Sequence, residues 1–211
     1  MRGSAEESRV AIRRAALATF CKRGYRTTTL AEIGAQVGVT RGTVLHHFNS
    51  KGELLRAVVG PYLGALADLL DAAQVQDPPT AAQRRQLLTE LADLFLEHRG
   101  ALQLLATDVA ARVQLGLADQ FAAPSERLVT LLLGSRSSRV GLVRVAAALG
   151  AMVQPVVSVG LELETARTRR ELVDAALAVL DRPEPASASL PGAMPGVARV
   201  GSHLLAQAVV N

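Results

Sequence analysis

The stretch from Thr28 to Phe48, followed by Asn49-Ser50-Lys51, constrains this 211-residue chain more than any other, because it spells two short helices around a tight turn. Thr29 with Glu32 three residues on has the capping-box form, and Leu30, Ile33 and Val37 fall on one face of the helix that follows. Gly38 offers the left-handed conformation that ends a helix at low cost. Thr40 then caps a second helix whose apolar face is Val44 and Phe48. At 100° per residue Thr43, His46 and His47 point away from that face, and Arg41 sits at the N-terminal end, where a recognition helix enters a DNA major groove.

The same residues carry a family likeness. It runs from Ile12-Arg13-Arg14-Ala15-Ala16 through Phe20, Gly24-Tyr25, Thr28-Thr29, Ile33-Gly34, Gly38-Val39-Thr40, Gly42-Thr43 and His47-Phe48 to Ser50-Lys51. Over about residues 9 to 55 the chain resembles the tetracycline-repressor (TetR) family; beyond them it is similar only in length and helical character. The resemblance implies an all-α, homodimeric, ligand-responsive transcription regulator, usually a repressor. It also implies base or phosphate contacts at Thr40, Arg41, Gly42, Thr43, His46, His47 and Lys51, with Thr28 or Thr29 meeting phosphate at a helix N-terminus. Arg41 is the expected base reader, since its planar fork suits the O6 and N7 of guanine. Leu45 stands where members usually place a tyrosine, and packing or contact with a thymine methyl are its alternatives.

Charge agrees with that reading. Residues 1 to 51 hold nine Lys or Arg against Glu6, Glu7 and Glu32, a balance of +6, which leaves 14 of the 23 basic and 16 of the 19 acidic residues for the rest. Positive charge is thus concentrated where phosphates would be met. Aromatics make up 3% of the chain and tryptophan is absent, so the core must be aliphatic, which favours helix.

A helix from Glu7 to Arg23, with Ile12, Ala16 and Phe20 spaced by four, is expected before the two short ones. Ser50 with Glu53 reads as a second capping box, opening a helix from Lys51 to about Ala73 that Pro61 should kink or break. Helices are then expected over 81–98, 101–116, 124–133, 139–164 with a kink at Pro155, and 168–180 with a Leu172, Ala175, Ala176, Val179 stripe. No segment has β-period. After Asp181 the chain turns too rich in Pro, Gly and Ser to pack. The expected organisation is a helix-turn-helix domain at 1–51, a helical regulatory and dimerisation domain at 52–182, and a flexible tail at 183–211, within which 203–210 could form a short helix.

Polar residues set in apolar stretches are the candidates to anchor an effector: Gln103, Thr107, Asp108 and Gln154. Satisfaction by internal contacts is the alternative for each. An apolar effector bound among the helices between Leu87 and Leu133 suits the aliphatic body; a body that serves only dimerisation or protein docking is the rival. Ala147, Ala148, Gly150 and Ala151 allow close helix approach, as a dimer through the last two helices needs.

Enzyme constellations are missing. The chain has no Gly-rich phosphate loop, no Gly-x-Ser-x-Gly elbow and no His-Glu-x-x-His, and adjacent His46 and His47 diverge too far on a helix to chelate one metal. No cofactor is expected. Cys21 is the only cysteine and reads as packing beside Phe20; no internal disulfide is possible, which suits a reducing cytoplasm. No apolar leader opens the sequence. The run Val145–Leu161, 17 residues interrupted by Gln154-Pro155, is short of the about 20 a membrane span needs and reads as a buried helix.

Overall fold

The computed structural model describes residues 5–117, 122–135, 138–158 and 165–182, and among these the regular structure is all helix, with no strand. The expected tail at 183–211, its short helix and the stretch 159–164 lie outside the described residues.

The first three helices form where caps and glycines direct. Helix α1 (Ala5–Arg23) buries Ile12, Ala15, Ala16, Thr19 and Phe20, then stops at Gly24, whose φ of +85° lets its N–H return to Phe20 O at 2.8 Å. Helix α2 (Leu30–Gln36) opens on a complete Thr29/Glu32 capping box, and α3 (Arg41–His47) on Thr40, whose hydroxyl accepts the Thr43 N–H. Between them Gly38 has φ +72°. Gly34 is required by contact rather than by φ: a Cβ there would lie 2.7 Å from Val39 O, so α2 and the turn touch backbone to backbone.

Helix α4 (Lys51–Ala72) begins with half of the expected box. The Glu53 N–H meets Ser50 Oγ at 3.0 Å, but the Glu53 carboxylate reaches one residue further back, accepting from the Asn49 N–H at 3.1 Å and the Asn49 amide at 2.8 Å. Pro61 does not break α4, which runs on to Ala72. The proline lies on the exposed face, where the carbonyl that loses its partner can turn to water.

Helix α5 (Ala81–Glu97) starts on a Thr80/Gln83 capping box. The single helix expected over 101–116 is two: α6 (Arg99–Thr107) and α7 (Val109–Leu115), divided at Asp108, which caps α7 by accepting the Ala111 N–H at 2.9 Å. Arg112 braces the corner by donating to the carbonyls of Leu105 (2.9 Å) and Ala106 (3.1 Å). Then come α8 (Ala122–Leu133), α9 (Arg139–Ser158) and α10 (Thr165–Leu180).

The chain divides into two compact units, one within Met1–Gly64 and Gly100–Leu117, the other within Ala65–Arg99 and Ala118–Asn211. In the first, Ile12, Phe20, Ile33, Val44 and Phe48 form the core, each at most 1% exposed. In the second, α10 packs on α9 and α5 through Leu172, Val173, Ala176, Leu177 and Leu180. The expected stripe is therefore rotated: Ala175 is exposed and Val179 half-buried, because α10 has two neighbours and buries a wider face than one stripe. Ion pairs Arg85–Asp174 (2.7 Å), Arg84–Asp181 (2.7 Å) and Arg169–Asp93 (3.2 Å) edge that packing. Helix α9 is long and apolar enough to cross a membrane by length and composition. Its buried side, including Leu142, Val145, Leu149, Met152 and Val156, packs within the unit.

Candidate nucleic-acid interface

Helix α3 turns Val44 and Phe48 fully inward. That burial leaves Arg41, Gly42 and His46 exposed and Thr43, Leu45 and His47 half-buried along the other side. Thr40 Oγ1 lies 3.1 Å from Thr43 Oγ1, so the two hydroxyls at the helix start are coupled. The far end is fixed from α1: the Arg9 guanidinium donates to His47 O at 3.3 Å and stacks 4.7 Å above the Phe48 ring. Arg9 was not singled out by the sequence, and no local pattern could have flagged it, since its partner is 38 residues away.

Of the two threonines at the start of α2, only Thr29 is open. Thr28 is 1% exposed and its hydroxyl donates to Gly24 O at 2.8 Å, so the expectation that either threonine meets phosphate narrows to Thr29. The Thr29 N–H and hydroxyl both bond the Glu32 carboxylate (2.8 and 2.9 Å). Those bonds, with Arg23 paired on the other oxygen, hold the Glu32 carboxyl below its usual range.

Lys51 is half-buried and its ammonium donates to three carbonyls, Tyr25 O at 2.8 Å, Thr28 O at 2.9 Å and Arg26 O at 3.3 Å, while lying 4.4 Å above the Tyr25 ring. Burial pulls its pKa down, and Asp108 and Glu32 pull it back up. Asp108 accepts the Tyr25 N–H on the oxygen that does not cap α7. An open cleft of about 750 Å³, lined by Tyr25, Arg26, Lys51, Val109, Val113 and Gln114, adjoins this cluster.

The other polar residues singled out in the body are placed as follows. Asp108 has both oxygens on backbone N–H groups, which is structural satisfaction. Thr107 is exposed and its hydroxyl returns to Gln103 O at 2.8 Å. Gln103 and Gln154 are half-buried, and Gln154 Oε1 accepts the Ser158 hydroxyl at 3.3 Å. Cys21 packs as its neighbours suggest: its thiol lies 3.4 Å from Gly100 O, and burial pushes its pKa up to about 11.

Residues 12–58, which contain α1 from Ile12 onward, the turn and the start of α4, match the family model described as bacterial regulatory proteins, tetR family. Over this segment the chain is similar to the tetR family. It is 38% identical over 97 residues to the HTH-type transcriptional regulator TtgR of Pseudomonas putida, covering 45% of this chain and 46% of TtgR. To the HTH-type transcriptional repressor BepR of Brucella suis it is 30% identical over 120 residues, covering 56% and 53%. The chain thus spans about half the length of the curated relatives it matches. A solved transcriptional regulator of Aquifex aeolicus superposes over 81% of this chain and 98% of its own with a TM-score of 0.59 at 14% identity, a likeness of fold.

Proposed function

We propose that this tetR-family chain is a sequence-specific DNA-binding transcription regulator, not an enzyme, that reads a palindromic operator as a homodimer and represses by occupying it. The observation that carries the reading is the outward side of α3, which offers Arg41, Thr43 and His46 while Val44 and Phe48 pin the helix from behind. Residues 1–51 are the reader and 52–182 the regulatory and dimerisation body, although the compact unit that holds the reader also takes in 52–64 and 100–117. Repression follows the name of BepR and, like cytoplasmic residence, belongs to this proposal.

The second unit suits an apolar effector, because Leu87, Leu91, Phe95, Leu128 and Leu132 supply aliphatic and aromatic bulk, with Gln154 as a half-buried polar anchor. Such an effector releases DNA only by preferring a conformation that DNA does not, and DNA must weaken effector binding by the same factor, typically about 5 to 150-fold. Selection of bound sites from random duplex DNA tests the core of the proposal. A two-fold symmetric site with half-sites about one helical turn apart is expected; failure to enrich any sequence would refute it, and an asymmetric optimum would refute the dimer.

A further inference from the structure

We infer that Asp108 and Lys51 form a clasp that sets the α1–α2 turn, and that Lys51 serves DNA binding by positioning this turn rather than by touching phosphate. The inference rests on the regulator reading above, and it reverses the role that the likeness to the family gives Lys51.

The turn from Gly24 to Thr28 carries no regular backbone ladder, so its polar groups need other partners. Three of them are carbonyls, of Tyr25, Arg26 and Thr28, and all three converge on one ammonium. An ammonium has three hydrogens, and these three contacts use them all; nothing remains to donate to a phosphate. The stem is half-buried and the charge sits over the Tyr25 ring, which is itself 8% exposed and packed edge-on against Phe20 with centroids 5.4 Å apart. Moving Lys51 to solvent would strand those carbonyls and uncover the ring.

Asp108 holds the same turn from the opposite polarity. One oxygen accepts the Tyr25 N–H and the other caps α7, so Tyr25 is gripped at its N–H by a carboxylate and at its C=O by an ammonium. The corner that carries Asp108 is itself braced by Arg112 on the last carbonyls of α6. The consequence of the clasp lies next door. Thr28 O is one of the three carbonyls, and the following residue, Thr29, caps α2. Fixing the turn fixes the start of the helix-turn-helix.

The two roles of Lys51 differ in an observable that stability does not move. A phosphate contact releases counterions, so its loss lowers the slope of log affinity against log salt by about one; loss of a positioning group lowers affinity with the slope intact. Lys51→Met, Lys51→Arg and Asp108→Ser are compared with the parent chain on the operator obtained by selection. Serine retains a hydroxyl for the α7 cap and cannot also reach Tyr25. Arginine keeps the charge, yet its planar fork cannot bond three converging carbonyls.

All three variants are expected to bind about tenfold more weakly, the scale of one charge-assisted hydrogen bond, with the parent's salt slope. Amide exchange at Tyr25 in the DNA-free protein should quicken in Asp108→Ser while the α1 interior stays protected. A slope reduced by about one in Lys51→Met, or full affinity in Lys51→Arg, would identify a phosphate contact and overturn the inference. Unchanged Tyr25 exchange would overturn the Asp108 half. If the parent chain binds no DNA, the regulator reading fails on its own, and the exchange measurement still decides the clasp.

Discussion

Arg41 and Arg9 sit at opposite ends of α3 and differ in what binds them. Arg41 is exposed at the N-terminal end, whereas Arg9 is engaged with His47 O and the Phe48 ring at the C-terminal end. Arg41→Ala is expected to relax preference at one base pair per half-site by about 1 to 3 kcal/mol while leaving affinity for random DNA nearly unchanged, as competition binding would record. Equal losses on operator and random sequence would assign Arg41 to the backbone. Cys21 gives a different residue-scale prediction. Its folded pKa of about 11 lies above the ordinary thiol value, so the stability its burial contributes is intact below pH 9 and drains as pH rises toward 11. Denaturation midpoints across that window should fall more for the parent than for Cys21→Ala; parallel curves would contradict the assignment.

Among the elements, the crossing of α2 onto the turn is the tightest point that the sequence marks. Gly34→Ala would push a Cβ to 2.7 Å from Val39 O and 3.3 Å from Thr40 O, and since the first is backbone the helix pair must shift. A cost of about 1 to 3 kcal/mol in chemical denaturation is expected. Gly64→Ala is the control: its Cβ would meet nothing within 4 Å inside α4, so it should be neutral or stabilising by about 1 kcal/mol. If both behave alike, the close approach does not decide stability. The caps at Thr29 and Thr40 and the stops at Gly24 and Gly38 were legible because each is a local rule whose partners lie within four residues. The division of α6 from α7 was not, because apolar spacing continues across Asp108 and masks the capping aspartate that interrupts it. The face of α10 was read too narrow for a related reason: period reports that one side is apolar, not how many neighbours will share it. In the interface, the burial of Thr28 and the engagement of Lys51 both depend on a turn whose backbone partners no periodicity describes.

For the whole molecule, assembly is the property on which operator symmetry depends. The described outward side of α9 carries Val143 at 60% exposure, exposed Ala147 and Gly150, where an added Cβ would meet open space. Gly150→Glu therefore improves helix propensity within one chain and introduces a charge on that face alone. Sedimentation is expected to show a dimer for the parent and a monomer for the variant, with operator affinity lost in parallel; a variant that remains dimeric would move the interface elsewhere. The depth of Cys21 bears on how all of this can be watched. A thiol whose pKa burial raises to about 11 holds little thiolate at neutral pH, so maleimides should label Cys21 slowly. A reporter thiol set at the exposed Glu90 or Ala31 would then take most of a fluorophore or spin label, and distances between two copies, or between α2 and a labelled operator, become measurable.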